Sequence, residues 1–145
     1  MTPTPLIVIA DPDTECAVLM ARQLELAGYE VVLSAGGDET VALVEERRPD
    51  ALVIEAKLSA RTGYAVVREL RSQPRNRLMP IVMVSARAGK LDRDFAFTVG
   101  CDDYLRKPCK YTEIVASLAR LAPASAEPPA PIFRRTRVAP RPALA

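Results

Sequence analysis

Four residues whose types together can hold a phosphoryl group fall at the ends of four short apolar runs. Asp11 closes Leu6–Ala10, Glu55 closes Ala51–Ile54, Ser85 closes Ile81–Val84, and Lys107 follows Asp103–Arg106. If the runs are strands of one parallel sheet, an acid, an acid, a hydroxyl and a lysine converge on one edge of it. Carboxylates can hold a divalent cation there, while the hydroxyl and the ammonium neutralise phosphoryl oxygens.

The intervening stretches carry helical periodicity, so strands and helices alternate as in an open α/β sheet. The strands read as Leu6–Ala10, Glu30–Ser34, Ala51–Ile54, Ile81–Val84 and Asp103–Arg106. They are nearly all apolar, as expected of strands covered on both faces. The first helix is expected over Thr14–Ala27, with Cys16, Leu19, Met20, Leu24 and Ala27 on one face and Gly28 ending it. Further helices are expected from Asp38 to Arg47, from about Thr62-Gly63 with Val66, Val67 and Leu70 inward, over Leu91–Val99 before Gly100, and over Tyr111–Leu121 using Ile114, Val115 and Leu118. Short right-handed crossovers then predict a doubly wound, five-stranded parallel sheet of order 2-1-3-4-5 with five helices, a flavodoxin-like α/β fold. Ligands of such sheets sit beyond the carboxyl ends of the strands, beside strands one and three. Those ends carry Asp11 and Glu55.

At 145 residues, with 49% hydrophobic and 26% charged residues, the chain has the composition of one ordinary globular domain. Four of its 20 basic residues (Arg134, Arg135, Arg137, Arg141) but one of its 18 acids (Glu127) follow Leu121. The part before that is near neutral, which argues against a nucleic-acid partner. Residues 1–121 are expected to form the domain. Residues 122–145, with six prolines and many alanines, read as an extended, disordered, basic tail. No histidine is present, which excludes His-based triads, phosphohistidine relays and His-ligated metals within the chain. Cys16, Cys101 and Cys109 have no C-x-x-C spacing and read as free core cysteines, consistent with a reducing, cytoplasmic setting. No signal peptide and no membrane-spanning stretch is evident.

Taken in order, Pro49-Asp50 before the acid-tipped strand, Gly63 opening the next helix, Pro80 to Ala86, and the run Gly100-Cys101-Asp102-Asp103-Tyr104-Leu105-Arg106-Lys107-Pro108 resemble the receiver domain of two-component response regulators. The resemblance spans about Pro5 to Leu121. It implies phosphorelay signalling, with an acid pair after strand one holding Mg²⁺ and an aspartate after strand three accepting a phosphoryl group from a histidine kinase. It also implies a Ser/Thr after strand four, a lysine after strand five, and an aromatic that changes rotamer on activation. By position Ala10 and Asp11 match the acid pair, Glu55 the acceptor, Ser85 the hydroxyl, Lys107 the lysine and Tyr104 the switch aromatic. One acid is therefore missing, the acceptor is a methylene too long, and Ser59 stands where the family usually has proline.

In-line phosphoryl transfer punishes a misplacement of ~1 Å by about a hundredfold. A pocket kept without the reaction is the expectation. Glu55 is predicted to reach toward Ser85 and Lys107 and form a self-contained charge cluster, with the ammonium of Lys57 as a further substitute for the cation. No cofactor is required on this reading. Mg²⁺ on Asp11 and Glu55 is the weaker alternative, with a receiver still open to phosphorylation. Simpler roles compete: Asp11 as a helix cap before Pro12, Ser85 as a loop-satisfying hydroxyl, Tyr104 as a core aromatic and Lys57 as a solvated lysine.

The expected function is a stand-alone, non-enzymatic pseudo-receiver that binds a protein partner through the face of its fourth helix, fifth strand and fifth helix. The partner class is a histidine kinase or another signalling protein. A flavodoxin-like cofactor carrier is disfavoured because Asp11-Pro12-Asp13 would repel a nucleotide phosphate. The tail run Phe133-Arg134-Arg135-Thr136-Arg137-Val138 is either a solubilising stretch or a docking segment.

Overall fold

The computed structural model describes residues 3–87, 89–123 and 137–138. The chain alternates β1 (Leu6–Ala10), α1 (Thr14–Leu26), β2 (Glu30–Ser34), α2 (Gly37–Arg47), β3 (Ala51–Ile54), α3 (Gly63–Arg71), β4 (Ile81–Ser85), α4 (Lys90–Val99), β5 (Asp103–Arg106) and α5 (Tyr111–Leu121). All strands pair in parallel, in the order β5-β4-β3-β1-β2. This is the expected 2-1-3-4-5 sheet. A two-residue strand, β6 (Arg137–Val138), adds to the outer edge of β2. The rest of the expected tail beyond Pro123 lies outside the described residues.

Alternation along each strand builds two cores. Ile7, Ile9, Val31, Leu33, Val53, Val82 and Val84 face α1 and α5. Val8, Ala10, Leu52, Ile54, Ile81 and Met83 face α2, α3 and α4. Helices thus leave β1 and β3 on opposite faces, and the crevice between their carboxyl ends stays open to the site.

Local chemistry sets the helix ends. Asp13 caps α1 by accepting the Cys16 N–H, and Thr62 caps α3 by accepting the Ala65 N–H. Gly28 (φ 104°) and Gly100 (φ 124°) end α1 and α4 in backbone that side chains disfavour. The buried face of α1 differs from the expected one: Ala17, Met20, Ala21 and Leu24 are inside, whereas Leu19 is exposed. Two alanines let the helix lie close on the sheet, which rotates Leu19 out. In α5, Ser117 is buried with Ile114 and Leu118, while Val115 is half-buried, because the Ser117 hydroxyl donates to Asp103 at 2.6 Å.

Arg71, unnoticed in the sequence, ties the far end of the sheet. Its guanidinium donates to the carbonyls of Gly100 (2.9 Å), Asn76 (2.6 Å) and Met79 (2.6 Å) and to Asp102 (2.9 Å). One planar fork therefore fixes the approaches to β4 and β5.

Candidate functional site: a lysine held between two carboxylates

Register brings the strand ends level. Ala10 pairs with Ile54, the Glu55 N–H donates to the Ala10 carbonyl at 2.8 Å, and the Lys107 N–H donates to the Ser85 carbonyl at 2.8 Å. Asp11 and Glu55, one residue beyond β1 and β3, therefore lie side by side. Gly63 makes room behind them, because a Cβ there would lie 2.3 Å from the Glu55 carbonyl oxygen. The Lys107-Pro108 bond is cis.

The Lys107 ammonium closes the cluster. Its Nζ lies 2.6 Å from Asp11 Oδ2 and 2.8 Å from Glu55 Oε2. Asp11 and Glu55 are buried, and Lys107 is only partly open to solvent. The remaining oxygens are used as well. Glu55 Oε1 accepts the Ala56 N–H at 2.8 Å and the Lys57 N–H at 3.4 Å, and Asp11 Oδ1 accepts the Asp13 N–H at 2.9 Å. Burial alone would push the Lys107 ammonium down, but hydrogen bonds and charge from Asp11 and Glu55 outweigh it and raise it above the ordinary lysine value. The site holds a compact, hydrogen-bonded triad of alternating charge.

The expected residues divide accordingly. Asp11, Glu55 and Lys107 converge. Ser85 is buried at the end of β4, but its hydroxyl accepts the Arg87 N–H at 3.2 Å, the loop-satisfying role. The predicted reach of Glu55 toward Ser85 is not among the described bonds; the glutamate spends its two oxygens on Lys107 and on its own following backbone. Lys57 is exposed and brings its backbone N–H, not its ammonium, to Glu55. Lys107 enters from β5 between both acids. Tyr104 is buried and its hydroxyl donates to the Arg87 carbonyl. That bond ties β5 to the loop before α4, a link the sequence did not reveal.

Asp11 and Glu55 are the carboxylates that would hold a magnesium ion in this site, since Mg²⁺ is bound through one or two carboxylates plus waters. Both already bond the Lys107 ammonium, and Ala10 offers no side-chain oxygen.

A doubly wound parallel sheet with acid, acid and lysine at the carboxyl ends of β1, β3 and β5 defines the receiver class of signalling module. The profile of the response regulator receiver domain matches residues 7–119, and the chain belongs to that family. It is 33% identical over 118 residues to the transcriptional regulatory protein PrrA of Mycobacterium tuberculosis, covering 81% of this chain and 50% of that protein. It is 33% identical over 112 residues to the phosphate regulon transcriptional regulatory protein PhoB of Rhizobium meliloti, covering 77% and 49%. The chain thus spans about half the length of these curated relatives. Among solved structures, a response regulator from Chloroflexus aurantiacus superposes with a TM-score of 0.79 at 29% identity, covering 82% of this chain and 98% of that one. The receiver domain of sensor histidine kinase PA1611 from Pseudomonas aeruginosa, with a magnesium ion in its active-site cleft, gives 0.76 at 31% identity, covering 82% and 98%. Among the described residues no helix is long and apolar enough to cross a membrane.

Proposed function

We propose that this receiver acts as a phosphorylation-independent protein-binding module without enzymatic activity. The observation that carries the reading is Lys107 bonded at once to Asp11 and Glu55. Phosphoryl transfer needs an in-line nucleophile and neutralised oxygens. In this chain the acceptor position is a glutamate whose carboxylate is engaged on both oxygens, and the acid expected at Ala10 is absent. The ammonium performs the neutralisation permanently.

The fixed cluster is read out by protein contact. Receiver domains work through histidine kinases and other signalling proteins, and this chain's partner is of that class. The reading assigns the partner surface to α4, β5 and α5. Leu91 and Phe97 of α4 are solvent-exposed apolar groups, with Arg93 lying over the Phe97 ring, whereas Phe95 packs edge-on against Tyr64 of α3. Tyr104 supports the reading, since its bond to the Arg87 carbonyl holds the ring inside and leaves that face in one arrangement.

The test is treatment with Mg²⁺ and a small acyl-phosphate donor, followed by intact mass and an amide NMR spectrum. An unmodified mass and unmoved resonances in α4, β5 and α5 are expected. A stoichiometric phosphoryl adduct on Glu55 would show instead an ordinary switching receiver that tolerates the longer acid.

A further inference from the structure

The outer edge of β2 is not bare. Arg137 and Val138 lie along it in parallel, opposite Val32 and Leu33. Two further observations point to the same pairing. The Tyr29 hydroxyl donates to the Ala122 carbonyl at 2.8 Å, and both groups are buried. Tyr29 immediately precedes β2, so the chain leaving α5 is pinned within one side chain's length of the start of that strand. A strand added in parallel must begin at that end. The 13 residues between Pro123 and Arg137 can span roughly 45 Å when extended, far more than the width of the α1 helix that separates α5 from the edge.

The sequence after α5 is also punctuated for one short strand. Pro131 and Pro140 bracket a proline-free stretch that contains Ile132, Phe133, Thr136 and Val138. Proline cannot donate to a ladder, so pairing is confined between the two. Arg137 is itself a charged residue of this edge strand, and charge on an edge is a common protection against further edge pairing.

We propose that Arg137–Val138 is the resident cap of the β2 edge, docked in cis, and that it denies the edge to the strand of a second copy. Backbone direction makes the pairing testable residue by residue. The Glu30 N–H donates to the Pro5 carbonyl and the Ser34 carbonyl accepts from Asp11, so the even positions of β2 face β1. Val31 and Leu33 turn their backbone groups outward, and in this register Arg137 is the residue whose N–H and carbonyl meet them.

The experiment is amide hydrogen exchange by NMR on the full chain and on Arg137→Pro, with Arg141→Pro as a control that loses the same charge outside the bracket. The Leu33 amide is expected to be protected in the parent and to exchange about tenfold or more faster in Arg137→Pro. Val32, bonded inward to β1, is expected to be unchanged, and Arg141→Pro is expected to match the parent. Light scattering is expected to give a monomer for the parent and self-association for Arg137→Pro. Equal exchange at Leu33 in parent and Arg137→Pro overturns the cap. Leu33 protection that disappears on dilution overturns docking in cis, because the strand would then come from another molecule.

Discussion

Lys107 Nζ and Glu55 Oε2 lie 2.8 Å apart, and the same ammonium lies 2.6 Å from Asp11 Oδ2. Three charged groups from β1, β3 and β5 are thereby joined at the carboxyl edge of the sheet. The arrangement is costly to open, because removing one member leaves another buried charge without a partner.

Lys107→Met is therefore expected to cost about 3 kcal/mol, the lower end of the range for breaking a buried pair, since Lys107 is partly open to solvent. Adding Glu55→Gln to Lys107→Met should recover part of the loss. Urea unfolding of the parent, the single variants and the double variant checks this. Additive losses would mean that the two residues do not share an interaction.

Glu55→Asp restores the shorter acceptor that the family pattern implies. It is expected to gain little Mg²⁺ binding by calorimetry, because Ala10 is a fully buried core alanine that supplies no second carboxylate. Mg²⁺ binding by the parent itself would contradict the substitution of ammonium for cation.

Tyr104→Phe deletes one hydrogen bond, from the phenol to the Arg87 carbonyl, and keeps the buried ring. A loss of about 1 kcal/mol is expected, with faster amide exchange confined to the loop between β4 and α4. Exchange that rises equally in β2, far from that loop, would show a global effect in its place.

Alkali should destabilise the protein. Burial pushes the Cys101 thiol from its ordinary 9.0 up to about 12. A group whose folded value is raised stabilises fully below its unfolded value, and that contribution is lost as pH rises through the folded value. Stability is thus expected to hold up to about pH 9 and to fall toward pH 12. Lys107, raised by its two carboxylate partners against the opposing effect of burial, carries the same sign at higher pH. Chemical unfolding across this range checks the slope, and Cys101→Ala should flatten its first part.

Arg71→Ala should cost about 2–3 kcal/mol, because the carbonyls of Asn76, Met79 and Gly100 lose a charged donor together. Thermal unfolding measures the loss. Arg71→Lys should recover little of it, since an ammonium cannot reproduce the planar fork.

The sequence by itself determined the element order, the sheet order and the identity of the residues at the strand ends. Apolar runs too short for helices, alternating with amphipathic stretches, admit few other arrangements. Glu55 and Ala10 were legible as departures because Ala10 closes β1 and Glu55 directly follows β3. Tertiary structure decided which groups meet. Lys107 reaches both acids because β5, four strands along the chain from β1, delivers its ammonium between them, while Lys57, near in sequence, stays in solvent. The Ser85 hydroxyl accepts the N–H of Arg87 two residues away, a contact within its own loop. The Arg71 staple, the Tyr29 tether and the edge strand at Arg137–Val138 join residues distant in sequence. Such contacts leave no periodic trace, since they depend on where the packed helices leave backbone groups to be satisfied.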